Sequence, residues 1–270
     1  MNKNLEHKRY QGYLNTPLLW TSECMGIKQY KINKTEPTID KEFSKKRLRL
    51  GLLVEQFVFQ CIKHQETVQL LASNLQVIEN KKTIGELDCL VLDQNKYLHL
   101  ELVYKFYLYD DSIKGNEIDK WIGPNRKDSL KQKLHKLKTQ QLPLLRHPRS
   151  EQLISQLGYE VGLFTQRVHF KAQLFLPINF DKEKIKILNK ECVVGFYISL
   201  KQLLQLNQHK FYIPRKLDWL IEPHNNVPWF TSAELLSTIT KEQNIKRSVL
   251  CWINDESGLL KKAFIVFWED

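Results

Sequence analysis

The stretch that decides the fold is GELDCLVLDQNKYLHLELVYKFYL, residues 85–108. Gln94 and Asn95 fit a two-residue hairpin loop, which is a common connection between antiparallel strands. The loop predicts strands over residues 84–92 and 97–107 and fixes which residues face each other. One face then consists of three apolar pairs: Leu87 with Leu102, Cys89 with Leu100 and Val91 with Leu98. We expect this apolar face to be buried against a hydrophobic core, and its burial would fix the register of the two strands.

The same register predicts that the other face carries Asp88 opposite Glu101, with Lys105 two strand steps further along. Like charges at opposed positions destabilise a strand pair. Two such carboxylates share a proton, pair with a cation or bind a metal. Mg²⁺ suits this position because it takes few carboxylates together with water and phosphate oxygens. The alternative is a half-exposed sheet with a polar outer face.

A helix is predicted from residue 41 to about residue 65. Its apolar stripe is predicted to consist of Leu48, Leu52, Phe59 and Ile62. Glu55 falls inside this stripe, and a buried carboxylate needs a partner or a role. The alternatives are a solvated glutamate at the helix edge and a glutamate paired with a residue such as Arg47.

A second helix is predicted over residues 126–141, after the breaker sequence Gly-Pro-Asn at 123–125. Leu130, Leu134 and Leu137 form its apolar stripe, while Lys133 and Gln141 lie beside or within that stripe. Residues 126–149 contain eight Lys or Arg against one acid, Asp128. This density of cations is typical of an element that contacts phosphate. The alternative is a solvated basic surface.

The remaining sequence mixes helical and extended patterns. Residues 1–40 are interpreted as a loosely patterned entry segment. Extended structure is predicted for 159–163, 168–176, 193–198 and 263–268, and helices for 199–206 and 232–240. Together these patterns predict one mixed α/β (α+β) domain over residues 1–270. Its core covers about residues 41–180, and a C-terminal extension covers about 181–270.

Composition narrows the class of protein. Forty-one Lys and Arg against thirty Asp and Glu give a net charge of +11, which favours a polyanionic partner such as nucleic acid. The five cysteines lack CxxC spacing, and this pattern predicts a reducing compartment. Without a leader pattern or an apolar run of about 20 residues, a soluble cytoplasmic protein that does not enter the membrane is expected. GxSxG, P-loop, HExxH and GxGxxG motifs do not occur in the sequence.

These residues together resemble the PD-(D/E)xK phosphodiesterase superfamily. More closely, the chain looks like an uncharacterised bacterial family assigned to it, marked by a W-I-G-P-N stretch at 121–125 and a following D-x-L-x-x-K helix at 128–133. The resemblance implies a restriction-endonuclease-like core sheet flanked by helices. It also implies a nuclease that cleaves DNA or RNA with Mg²⁺ (or Mn²⁺), held by Glu55, Asp88 and Glu101. A lysine would orient the attacking water.

One departure from the superfamily pattern concerns this lysine. The usual spacing is acid-x-lysine, but Val103 occupies that position and Lys105 follows Glu101 by four residues. Either Lys105 reaches back, or Lys133 substitutes for it, or catalysis is lost. The resemblance gives supporting or phosphate-contacting roles to Arg126, Asp128, Lys133 and Gln141. Besides a nuclease, a non-catalytic nucleic-acid-binding module and a protein-interaction scaffold remain open.

Overall fold

The computed structural model describes residues 3–33, 49–241 and 247–268. Within these ranges the helices are α1 Lys3–Asn15, α2 Leu50–Lys63, α3 Leu130–Lys136, α4 Pro148–Gln156, α5 Leu200–Gln205 and α6 Ser232–Lys241. The strands are β1 Glu23–Cys24, β2 Ile27–Lys28, β3 Val68–Glu79, β4 Lys82–Asp93, β5 Lys96–Tyr109, β6 Trp121–Ile122, β7 Thr165–Pro177, β8 Val193–Ser199, β9 Lys210–Tyr212, β10 Val249–Asn254 and β11 Leu260–Val266. The predicted mixed α/β class is confirmed.

The chain divides into two compact units. The first comprises Leu18–Tyr104 and Gln132–Lys171, and the second comprises Asn2–Pro17, Lys105–Lys131 and Ala172–Asp270. Two strands are divided between the units. β5 is divided between Tyr104 and Lys105, and β7 between Lys171 and Ala172. None of the described helices is long and apolar enough to cross a membrane.

The first unit contains the predicted hairpin. β4 and β5 pair from Cys89↔Leu100 to Asp93↔Lys96, which confirms the predicted register and the two-residue loop. Gln94 in that loop takes a left-handed φ of 54°. The predicted apolar face is buried except at Leu102, which is only half-buried.

A third strand of this unit, β3, was not predicted from the sequence. It pairs antiparallel with β4 along nearly its whole length, and the register shifts between Leu70 and Ala72 and between Val77 and Ile78. These irregularities, which are typical of β-bulges, break the alternation by which a strand is recognised. α2 and α4 pack against β3. The core of the unit includes Val77, Leu87, Leu90, Leu145, Ile154 and Phe164, all buried.

The apolar stripe of α2 differs from the prediction. Leu52 is 44% exposed and Phe59 is half-buried, whereas Leu48 and Arg47, with the predicted start of the helix at residue 41, lie outside the described residues. Ile62 is buried as predicted, and the rest of the buried face consists of Leu50, Leu53, Val54, Phe57, Val58 and Cys61. This set recurs at helical spacing one to two positions away from the predicted stripe. Glu55 therefore lies at the border of the buried face and is half-buried.

The predicted basic helix starts later than expected and changes form. Residues 126–127 form a bend, Ser129 forms an isolated antiparallel bridge to Ile122, and regular α-helix begins at Leu130. From Leu137 the backbone widens into a π-helical turn, Leu137–Gln141, in which the Leu142 amide donates to the Leu137 carbonyl at 2.9 Å. The predicted stripe is confirmed, because Leu130, Leu134 and Leu137 are all buried.

The second unit is built on a mixed sheet. β7, β8 and β11 run parallel to one another in that order, and β11, β10 and β9 continue as antiparallel neighbours. α5 packs against β8 and β11, and α6 packs against β9. The core between them includes Ile198, Leu203, Phe211, Leu235, Cys251, Ile253 and Ile265.

Two sequence predictions outside these cores were wrong. Residues 159–163 contain a 3₁₀ turn, Val161–Leu163, instead of a strand. The glycine inside this five-residue run weakens a strand. The entry segment contains α1, which the apolar pattern did not indicate because its buried face carries Glu6 and Arg9. These charges are compensated, since Arg9 donates to Glu6 at 2.6 Å and to Asp218 at 2.5 Å.

The corrected stripe of α2 predicts a large loss of stability for one substitution and a small change for another in the same helix. Phe57 is fully buried, so Phe57→Ala should lower the free energy of unfolding by about 3–5 kcal/mol. Leu52→Ala, the matched control, should change it by less than about 1 kcal/mol because Leu52 is largely exposed. Urea unfolding followed by circular dichroism measures both. A larger loss for Leu52→Ala would contradict this orientation of α2.

Candidate functional site

Asp88 lies where the pairing between β4 and β5 changes character. The described ladder ends at Cys89↔Leu100, one residue short of the predicted Asp88–Glu101 pair. Instead, the Asp88 carboxylate continues the hydrogen bonding, because its Oδ2 accepts from the backbone amide of Leu102 at 2.9 Å. A side chain has thus taken the place of a main-chain acceptor, and this fixes the carboxylate beside β5 next to Glu101.

Glu101 is fully buried, so the alternative of a half-exposed polar face does not describe it. Its Oε2 accepts from Gln141 Nε2 at 2.5 Å, and its Oε1 lies 3.2 Å from Nε2 of the equally buried His99. Within the described part of the chain, Glu101 Oε1 and both His99 ring nitrogens make no contact with hydrogen-bond geometry. A buried carboxylate oxygen without a donor is costly, so this position favours a further positive or donating group.

Gln141 connects Glu101 to Lys133. The Lys133 ammonium donates to Gln141 Oε1 at 2.7 Å, while the Gln141 amide donates to Glu101. In a regular α-helix, residues eight apart lie roughly 80° apart around the axis, because two turns take about seven residues. The π-helical turn takes up the additional residue and brings both side chains toward one side. Such turns recur at functional sites of proteins.

Two carboxyl groups of this cluster have strongly raised pKa values. Burial raises the pKa of Asp88 to about 8, with a further contribution from Glu101 and a smaller one from Glu55. The Leu102 amide and the Lys133 ammonium act in the opposite direction on the Asp88 pKa. Burial, then the charge of Glu86, raises the pKa of Glu55 to about 7. One electrostatic group in the first unit therefore contains Glu55, Asp88, Glu101 and Lys133. These four residues and Gln141 are named the acid cluster.

The structure places the other predicted site residues in the second unit. Lys105 donates to Asp128 Oδ2 at 2.7 Å. Arg126 forms an ion pair with Asp110 at 2.7 Å and lies over the Trp268 ring, 4.6 Å from its centroid. Lys105 is thus paired with Asp128, whereas Lys133 belongs to the acid cluster.

The donor set limits which cations this cluster suits. Among the described residues, no group of three or more His, Cys, Asp or Glu side chains is arranged to hold a metal ion. Asp88 and Glu101 provide two carboxylates, which suffices for Mg²⁺, since that ion usually keeps several waters and takes one or two carboxylates. Glu101 Oε1, which accepts no hydrogen bond from the described residues, could serve as a ligand to this ion. His99 was not predicted from the sequence, although it shares the period-two face of Glu101.

The comparisons with known proteins place the chain in a family. Residues 27–266 match the family described as Domain of unknown function (DUF1853). Because the match covers most of the chain, the chain belongs to this family. No match was found among curated proteins, and none among solved structures.

The raised pKa of Asp88 predicts a pH-dependent stability. Unfolding returns this carboxyl to an ordinary pKa of 3.8, so between pH 3.8 and about 8 the folded chain binds the proton more tightly. The Asp88 contribution is complete below the unfolded pKa and is lost as the pH rises through the folded pKa. Asp88→Asn keeps an acceptor for Leu102 and lacks this titration. Its stability relative to the wild type should therefore increase steadily over this pH range.

Urea midpoints measured across the same range test this expectation. Asn95→Ala, in the adjoining hairpin loop, changes no titratable group and is the control; its stability relative to the wild type should stay constant over this range. A constant difference in stability between Asp88→Asn and the wild type would show that Asp88 titrates normally.

Proposed function

We propose that the chain is a metal-dependent phosphodiesterase of the PD-(D/E)xK type, with a restriction-endonuclease-like core, that hydrolyses DNA or RNA. The observation that carries the proposal is the hydrogen-bonded series Lys133–Gln141–Glu101 beside the fixed carboxylate of Asp88. It provides two carboxylates and one lysine in a buried setting, which are the groups that this chemistry uses. Glu55 adds a third carboxyl group through its effect on Asp88.

Each residue has a distinct task in this proposal. Asp88 and Glu101 would hold Mg²⁺ or Mn²⁺, which when bound would supply a Lewis acid for the phosphate and lower the pKa of bound water. Lys133 orients the attacking water or stabilises the negative charge that develops on the phosphate. Gln141 positions both Lys133 and Glu101. Lys133 therefore replaces the lysine missing at Val103, one of the three alternatives left open by the sequence.

Nucleic acid is the proposed substrate because of the charge balance. The net charge of +11 attracts polyanions, and the segment around α3 is rich in Lys and Arg. Neither Glu101 nor Gln141 reads a base in this scheme, so the proposal covers both DNA and RNA. Phosphate contacts of this kind do not distinguish sequences.

A non-catalytic nucleic-acid-binding module is the second candidate. The observation that favours it is the hydrogen bond from Lys105 to Asp128, which engages the lysine that follows Glu101 in the sequence. In that case Lys133 would neutralise buried carboxylates and activate no water. The two candidates differ in whether removing Lys133 affects a chemical step.

Cleavage of plasmid and labelled oligonucleotides with Mg²⁺ or Mn²⁺ tests the proposal. Glu101→Gln and Lys133→Met should each lower kcat at least about a hundredfold, because each removes a group that stabilises the transition state. Lys136→Met, at an exposed position of the same helix, is the matched lysine control and should leave kcat within a few-fold of the wild type.

Two results would decide against the nuclease. A wild-type chain that binds oligonucleotides yet cleaves none of them with either metal would support the non-catalytic module. Cleavage that persists in Glu101→Gln would mean that the activity does not come from this cluster. A loss of kcat in Lys105→Met but not in Lys133→Met would reverse the assignment of the lysine.

A further inference from the structure

A second charged cluster lies within the second unit, outside the acid cluster. It comprises Lys105 on β5, Asp128 after the turn at residues 123–126, and Lys216 at the start of the 3₁₀ helix Lys216–Leu220. Lys105 donates to Asp128 Oδ2 at 2.7 Å, and these two side chains are 37% and 45% exposed. The cluster therefore opens to solvent, and a ligand from solution can reach it.

Lys216 adds a second ammonium group, which interacts electrostatically with Lys105 and Asp128. Its Nζ lies 3.1 Å from the centroid of the Trp219 ring and 5.4 Å from that of Phe106. Burial of the ammonium group, then repulsion by Lys105, lowers the pKa of Lys216 to about 8, while Asp128 acts against this shift. Lys216 is thus within electrostatic range of both members of the Lys105–Asp128 pair.

The turn at residues 123–126 holds Asp128 in position. The Gly123 amide donates to the Asp128 carbonyl at 2.7 Å, and the Arg126 amide donates to the Gly123 carbonyl at 2.8 Å. A Cβ on residue 123 would lie only 1.9 Å from Asp128 Oδ1, so any other residue there would displace this carboxylate. The W-I-G-P-N stretch therefore fixes the aspartate that orients Lys105.

We infer that Lys105 and Lys216 form a phosphate-binding site for the backbone of a nucleic acid. Two ammonium groups and one carboxylate leave a net positive charge, which a phosphodiester would neutralise. Binding of that anion relieves the repulsion between the lysines. The identification of the ligand as nucleic acid rests on the proposed function, whereas the net positive charge of the cluster favours any anion.

The site recognises charge and not a base. The Lys216 ammonium covers one face of Trp219, and the edges of Phe106 and Phe264 pack against the same ring, with centroids 5.1 and 5.2 Å away. Stacking of a base requires an open aromatic face, and the face under Lys216 is already occupied. The site should consequently bind the backbone of DNA and RNA with no base preference.

The test is the salt-dependent binding of a labelled duplex to the full chain. Fluorescence anisotropy measures the binding, and a chelator is present so that no cleavage occurs. The double variant Lys105→Gln/Lys216→Gln should bind at least about tenfold more weakly near 100 mM NaCl. Its plot of log K against log salt should be shallower by about 1 or more, since each neutralised phosphate contributes about 0.9. Lys114→Gln/Lys210→Gln removes the same charge from exposed positions of the same unit and should change the affinity by less than about threefold.

The outcomes separate this site from the proposed function. If both double variants lose affinity and slope equally, the effect is one of net charge and the inference is wrong, while the nuclease proposal stands. If the wild type shows no salt-dependent binding, nucleic acid is the wrong ligand for both. Inorganic phosphate at millimolar concentration should compete only weakly; competition as strong as that of an oligonucleotide would indicate a site for a free small anion instead. Circular dichroism of the variants confirms that each remains folded.

Discussion

The burial of Glu101 is the constraint on which the candidate site depends. A carboxylate with no exposure to water is stable only when neighbouring groups compensate its charge or supply a proton. Gln141 compensates one oxygen by donating a hydrogen bond, and it can do so because a π-helical turn brings it to the side of the helix that carries Lys133. Asp88 and Glu55 add further carboxyl groups to the cluster, and burial, then the charge of neighbouring carboxylates, raises the pKa of each. A cation would resolve what the side chains leave incomplete.

The hairpin could be predicted from the sequence because one rule determined it. Period-two alternation and a two-residue loop fix the register, and the pairs from Cys89↔Leu100 to Asp93↔Lys96 follow. The end of the ladder could not be predicted, since the Asp88 side chain replaces a main-chain acceptor there. β3 was missed because bulges disrupt its alternation, and α1 was missed because its buried face carries an ion pair. In both cases long-range contacts determine the structure.

The candidate site shows the same division. Asp88, Glu101, Glu55, Lys133 and Gln141 were all singled out from the sequence, and they are brought together by the first unit. Lys105 was expected near Glu101 because strand alternation placed both on one face. Alternation does not determine the partner of a long flexible side chain, and Lys105 donates a hydrogen bond to Asp128. Lys216 could not be found by any local pattern, since only the folded chain brings it near Lys105.

The most direct test of this account is whether a divalent cation displaces protons from the acid cluster. Metal binding requires deprotonated carboxylates, so a group whose pKa is about 8 must release its proton when the ion binds at neutral pH. Calorimetric titration of the full chain with Mn²⁺ at pH 7, in buffers of different ionisation enthalpy, measures this release. The account predicts saturable binding with about one proton released per ion and loss of both in Asp88→Asn. A wild-type chain that binds no Mn²⁺, or binds it equally well in Asp88→Asn, would contradict it.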